Sequence, residues 1–310
     1  MTALICGSFA YDSIMIFPDR FKNHILPDKI HMLNVSFMVP QMRREFGGCA
    51  GNIAYNLKLL GGDGLPMGTV GKDFEPYARW MDRNGISRAL IREFPDTFTA
   101  QAYITTDLDD NQITAFHPGA MGLAHENRVP LDRGITLGIV SPDGRDGMLQ
   151  HAEQFFEAGI PFIFDPGQGL PMFNGDDLRN FLRMATYLTV NDYEAQLVQE
   201  RTGLSPHEMS GQVKAVFITR GAKGSRIYTE QKEIEIPPVK PSGVVDPTGC
   251  GDAYRAGLIH GLMLGRDLAT AARIASLMGT IKIEHPGTQN HRFTPEEFAA
   301  RYRAAFGTSL

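Results

Sequence analysis

The sequence predicts an α/β fold, a mostly parallel sheet with helices on both faces, joined to a small β-sheet lid. Three observations carry this. Short apolar runs alternate with helix-like segments along most of the chain. Most of these runs end in a turn bearing Gly, Asp or Asn. Two β-rich stretches, at 30–40 and 97–119, interrupt the alternation and have no helix between their extended runs.

In chain order, ALICG (3–7) reads as a short buried strand. GNIAYNLKLL (51–60) reads as a helix stopped by Gly61 and Gly62. PMGTVG (66–71) is strand-like, and EPYARWMDRN (75–84) is helical with Gly85 behind it. LGIVSP (137–142), PFIFDP (161–166), YLTVND (187–192) and AVFITRG (215–221) each read as a buried strand running into a turn. Helical segments at 147–158, 176–186 and 193–202 separate several of them. Within 97–119, two β-rich runs flank the polar turn DLDDNQ, the pattern of a hairpin. IHMLNVSFMVP (30–40) also reads as extended. The lid is therefore expected from segments near 13–40 and 97–119. No linker, low-complexity segment or internal repeat divides the chain, so residues 1–310 are expected to form one domain.

The totals exclude several classes. With 30 basic and 35 acidic residues the formal charge is −5, and no Lys/Arg-rich run stands out. Nucleic-acid and membrane-surface partners are therefore not expected. Cys6, Cys49 and Cys250 are odd in number and far apart, with no CxxC, which disfavours a disulfide framework or a cysteine zinc site. The N-terminus has no signal-peptide pattern, and no apolar run approaches the roughly 18 residues of a membrane span. A reduced, cytoplasmic enzyme is the expectation.

In open parallel sheets, ligands bind outside the carboxyl ends of the strands. The turns carrying Asp12, Gly47-Gly48, Asp165, Asn191, Thr219 to Gly221, and Asp246 to Asp252 are thus expected to face one crevice.

The most informative of them is VVDPTGCGDAYRAG (244–257). Gly249, Cys250 and Gly251 have small side chains, so their backbone can approach a ligand. With a helix starting at Asp252, the N–H groups ahead of it form an anion hole. The Asp252 carboxylate is then placed to take a proton from a hydroxyl attacking a bound phosphoryl group. The plain alternative is helix capping by Asp252.

Three further stretches each have two readings. In EFGGCAGNIA (45–54), the glycines permit close contact and Asn52 can hydrogen-bond a polyol, or this is a Gly-rich loop before a helix. In VNDYEAQL (190–197), Asn191 and Glu194 can hold water around Mg²⁺, or form a capping box. In ITRGAKGS (218–225), Thr219 and the backbone at Gly221 and Gly224 can meet nucleotide phosphates. Asp12 can bind vicinal hydroxyls or be a solvated turn residue. No GxxxxGK[ST], GxGxxG or GxSxG occurs at these places, which disfavours a P-loop NTPase, a dinucleotide site and a serine hydrolase.

Taken together and in this order, GGCAGNIA, NxxE, TxGxxG and DPTGCGDAYRAGL resemble the signatures of the PfkB carbohydrate kinase family over nearly the whole chain. The resemblance implies a ribokinase-like fold with a β-sheet lid. It implies Asp252 as catalytic base, with Gly249, Cys250 and Gly251 as the anion hole. Asp12, Gly48 and Asn52 would bind the sugar moiety. Asn191 and Glu194 would organise hydrated Mg²⁺, and Thr219, Gly221 and Gly224 would contact ATP. Asp246 and Thr248 match a monovalent cation site, K⁺ in some members.

Cys49 stands where ribokinase-like members usually carry Lys, and the segments at 32–48, 113–121 and 162–171 look most like bacterial nucleoside kinases related to adenosine kinase. Lid residues such as Phe37, Ile113 and Phe116 then either offer a surface to a base or merely pack the lid. Tyr254 and Arg255 are bulkier than the family usually shows. The resemblance implies an ATP-dependent kinase of the ribose 5′-hydroxyl of a nucleoside, adenosine or a related purine nucleoside, as monomer or lid-mediated homodimer. The alternatives are a sugar or sugar-phosphate kinase of the same family and a non-catalytic nucleoside or nucleotide sensor.

Overall fold

A computed structural model describes residues 2–25, 34–109 and 111–310. Its body is built on a nine-stranded sheet. The strands are β1 (Thr2–Cys6), β4 (Gly64–Gly71), β5 (Leu90–Phe94), β8 (Ile135–Val140), β9 (Phe162–Phe164), β10 (Tyr187–Asn191), β11 (Ala215–Thr219), β12 (Ser225–Tyr228) and β13 (Glu233–Ile236). Their order is β13-β12-β11-β10-β9-β8-β1-β4-β5. All pairings from β11 to β5 are parallel, and β12 and β13 add an antiparallel edge. β1 lies between β4 and β8, so the chain order reverses beside it. Such a switch point opens a crevice at the carboxyl ends of the strands.

The strands are apolar on both faces because helices cover both. In β1, Ala3 and Ile5 enter one core and Leu4 and Cys6 the other. The first core takes α1 (Cys49–Leu59), α2 (Glu75–Arg83), α7 (Cys250–Met263) and α8 (Leu268–Ile283). The second takes α3 (Arg145–Glu157), α4 (Gly175–Met184), α5 (Asp192–Thr202) and α6 (Pro206–Ser210). A last helix, α9 (Pro295–Phe306), seals α7 and α8 through Phe298 and Tyr302.

The remaining strands form a separate four-stranded sheet, β3-β2-β6-β7, from β2 (Ala10–Ile16), β3 (Gln41–Gly47), β6 (Ala100–Thr106) and β7 (Gln112–His117). The hairpin expected in 97–119 is β6 and β7, paired antiparallel. The extended stretch expected at 30–40 lies partly outside the described residues, and 34–40 is not a strand. The lid strand is the following QMRREFG, whose charged residues hide its strand character. It pairs antiparallel with β2, and four of its seven residues are exposed. Both lid pairs grow from the carboxyl ends of body strands, β2–β3 after β1 and β6–β7 after β5, and the parallel β2–β6 pairing joins them.

Candidate active site

Helix α7 begins at Cys250, two residues before Asp252. Its N-cap is Gly249 at φ 77°, a left-handed conformation that glycine adopts without steric cost, and no side chain caps the helix. Asp252 is therefore no cap. Its Oδ2 accepts a hydrogen bond from Asn52 Nδ2 at 2.7 Å. Burial, reinforced by Asp165, pushes the Asp252 carboxyl up to about 6, against the opposing Asn52 hydrogen bond and Arg255 charge. The Cys250 N–H is taken by Pro247 O at 3.2 Å. Among the described residues, the N–H groups of Gly249, Gly251 and Asp252 find no protein acceptor. Free donors at the positive end of a helix attract an anion.

Asn52 arrives from the other glycine-rich turn. Gly48 caps α1 at φ 84°, and a Cβ there would come within 2.6 Å of the Phe9 and Ala10 backbone. That fold places the buried Asn52 one turn into α1. Its amide orientation follows from a chain of donors. The Trp80 indole only donates, and does so to Gln289 Oε1 at 2.9 Å. Gln289 Nε2 must then face inward, donating to Asn52 Oδ1 at 2.9 Å and to the Tyr77 hydroxyl at 2.6 Å. Tyr77 donates to Gly47 O at 2.9 Å. With its Oδ1 thus occupied, Asn52 presents Nδ2 to Asp252.

Asp12 lies in β2 of the lid, not in a turn after β1. The cross-strand register sets Glu45, Asp12, Ala102 and Phe116 in one row, hence on one face of the lid sheet. Burial, with Glu45 and Asp246 nearby, pushes the Asp12 carboxyl up to about 6. Glu45 in this row accepts a hydrogen bond from Asn290 Nδ2 at 2.9 Å, so this face is the one turned to the body. Phe116 is half exposed at the far end of the row.

A buried ion pair ties the first turns of α7 to the neighbouring strands. Arg255, one turn after Asp252, donates through Nε and Nη2 to both Asp165 oxygens at 3.0 and 2.9 Å. Its Nη2 stands 4.0 Å from Glu194 Oε2. Asn191 and Glu194 form a reciprocal capping box on α5, with both hydrogen bonds at 2.8 Å. Burial and the Asp165 charge raise the Glu194 carboxyl, with Arg255 opposing. Among the described residues, no cluster of three metal-ligating side chains occurs. A divalent ion here fits only a site that keeps its waters and leans on phosphates, as Mg²⁺ does.

Beside the α7 turn, a cavity of about 500 Å³ is lined by Thr219, Gly221, Gly224, Cys250, Gly251 and Tyr254, with Pro238, Val239, Val244 and Ile283 giving it an apolar side. The TxGxxG loop and the anion-binding turn thus share one wall. Asp246 begins the same turn. Its oxygens accept the Thr248 and Gly287 N–H groups at 2.9 Å, and these outweigh burial to hold its carboxyl below the ordinary range. The Thr248 residue is exposed.

The sequence matches the pfkB family carbohydrate kinase over residues 8–295. The chain belongs to that family. PfkB kinases are phosphotransferases with an alcohol group as acceptor. Among PfkB relatives, the nucleoside kinase of Methanocaldococcus jannaschii is 32% identical over 270 residues, covering 86% of this chain and 89% of that protein. The nucleoside kinase of Burkholderia thailandensis in complex with inosine superposes with TM-score 0.91 at 55% identity, covering 99% of each chain. Its complex with ADP and inosine gives TM-score 0.88 at 56% identity, covering 99% of this chain and 97% of that one.

Beside the PfkB motifs, Gln289, Tyr77, Trp80 and Glu45 belong to the site and were not legible in the sequence. Each acts through a partner distant along the chain, and only the fold brings them together. Asp165 and Arg255 drew notice as a turn residue and a bulky departure, without the ion pair that joins them.

Proposed function

We infer that this chain is an ATP-dependent nucleoside kinase that transfers the γ-phosphoryl group to the ribose 5′-hydroxyl, with purine nucleosides such as inosine and adenosine as acceptors. The observation that carries this is the 97–99% mutual coverage, at 55–56% identity, with a kinase described with inosine and with ADP and inosine. The site chemistry supports it.

In this reading Asp12, Gly48 and Asn52 hold the ribose, and Phe116 closes over the base. Asp252 accepts the 5′-hydroxyl proton as that oxygen forms its bond to the γ-phosphorus. The bond from the γ-phosphorus to the β,γ-bridging oxygen breaks, and ADP leaves with its electron pair. The free N–H groups of Gly249, Gly251 and Asp252 stabilise the transferring oxygens, and the dipole of α7 adds to them. Thr219, Gly221 and Gly224 seat the nucleotide. Asn191 and Glu194 would hold hydrated Mg²⁺, which supplies charge neutralisation on the phosphates when bound. Closure of the lid excludes water and limits ATP hydrolysis. The exposed residues Met42 and Tyr103, on the lid face opposite Asp12, favour lid-to-lid pairing of two copies.

The test is ADP release with MgATP across adenosine, inosine, guanosine, cytidine, ribose and fructose. Turnover confined to free sugars would move the chain to the sugar-kinase branch. Ligand binding without ADP release would leave a sensor.

A further inference from the structure

Lys282 ends α8 with no exposed surface, a position lysine rarely takes without a partner. Its Nζ donates to Asp246 O at 2.7 Å and to His285 O at 3.2 Å. Burial lowers its pKa, and the adjacent Cys250 and Asp246 oppose that. The Ile283 carbonyl just beyond accepts the N–H groups of Val245 and Asp246 at 2.9 and 3.2 Å. The end of α8 therefore grips the start of the turn Asp246–Gly249 from behind, while the front of that turn presents the free N–H groups of α7.

Two carbonyl oxygens converging beside a carboxylate are what a monovalent cation would need, and here the Lys282 ammonium holds both. A monovalent cation at Asp246 and Thr248 does not suit this chain: the Asp246 and His285 carbonyls already accept from Lys282, and the Asp246 carboxylate accepts the Thr248 and Gly287 N–H groups and lies 3.5 Å from the Arg43 guanidinium. We propose that Lys282 is a tethered replacement for that cation, a positioning residue that fixes the anion-binding turn and supplies its positive charge, so that turnover is indifferent to monovalent ions. The proposal rests on the kinase reading above for its rate measurements, but not for its stability measurements.

The experiment compares the full-length wild type with Lys282→Met and Lys282→Ala in potassium, sodium, ammonium and tetramethylammonium chlorides at one ionic strength. Both MgATP-dependent turnover and melting temperature are followed. The wild type is expected to vary less than twofold in kcat, with an unchanged melting temperature. Lys282→Met should lose at least tenfold in kcat, with the nucleoside KM moved less than threefold. In Lys282→Ala, the vacated space should let ammonium or potassium restore kcat at least fivefold and raise the melting temperature, while the bulky tetramethylammonium does neither.

A wild type accelerated fivefold or more by potassium over tetramethylammonium would overturn the proposal. So would wild-type kcat in Lys282→Met. If the variants fail to fold, the wild-type salt series decides alone, with indifference supporting the proposal. If no nucleoside is phosphorylated in any salt, the kinase reading fails separately. The melting temperatures then decide for Lys282: potassium stabilising Lys282→Ala but not the wild type supports the proposal, and potassium stabilising the wild type overturns it.

Discussion

Asn52 donates its side-chain amide to the Asp252 carboxylate at 2.7 Å, across 200 positions of sequence. The contact joins the first turns of two helices, each begun by a glycine at positive φ. It holds the carboxylate in place as an acceptor while burial keeps its proton affinity high. The hydrogen bond thus fixes the geometry of the carboxylate, and burial sets its proton affinity.

That burial has a stability consequence with a definite sign. The folded carboxyl titrates near 6, above its ordinary 3.8, so the folded state binds the proton more tightly than the unfolded chain. The stability it contributes is complete below the ordinary value and is lost as pH rises through the folded one. Asp252→Asn should therefore unfold at higher denaturant than the wild type at pH 7, by about 1–3 kcal/mol, and match it near pH 3.5. Urea unfolding at both pH values measures this; equal stability at pH 7 would contradict it.

Gln289 acts on Asp252 only through Asn52. In Gln289→Leu, Asn52 loses the donor that orients its amide, and a buried acceptor is left unpaired. The expected loss is about tenfold in kcat/KM, from about 1–1.5 kcal/mol of positioning. Steady-state kinetics on a variant shown to be folded by its melting transition checks it.

The sequence made the body and its crevice legible because the signals were local. Apolar runs ending in Gly, Asp or Asn marked β1, β8, β9, β10 and β11, and DPTGCGDAYRAG carried the turn and its carboxylate in one stretch. Glycine spacing foretold close backbone approach, and Gly48 and Gly249 do take positive φ. Strand β3 escaped because a lid strand with much of its length in solvent needs no apolar alternation. Helix α9 did carry a signal, since Thr294 and Glu297 form a capping box and Pro295 opens the helix, which the sequence displays as TPEE. Gln289, Trp80 and Lys282 left none, for their roles depend on partners that meet only in the folded chain.

Arg255 is the one positive group between Asp165 and Glu194 that the described residues place there, and it is 5% exposed. Arg255→Met leaves two buried carboxylates without it. The expected cost is about 3–5 kcal/mol in urea unfolding, and Arg255→Lys should recover only part because it cannot grip both Asp165 oxygens. Adding Asp165→Asn to Arg255→Met should regain much of the loss.

Phe116 shares a row of the lid with Asp12, so in the proposed reading a base held beyond the ribose would meet its ring. Phe116→Ala should raise the nucleoside KM about two- to tenfold, the equivalent of about 0.5–1.5 kcal/mol of stacking, with kcat nearly unchanged. A KM within experimental error of the wild type would confine Phe116 to packing.

The most direct measurement is ADP release with MgATP and each nucleoside or sugar of the panel, made in parallel on the wild type and Asp252→Asn, with ATP binding followed by calorimetry. Wild-type turnover on nucleosides but not on ribose or fructose is expected. In Asp252→Asn it should fall by at least about 10³-fold while ATP affinity stays within threefold, since the shape and the N–H donors remain. Asp252→Asn retaining a third of wild-type kcat would contradict the assignment of Asp252 as the base, and a wild type active only on free sugars would contradict the nucleoside reading.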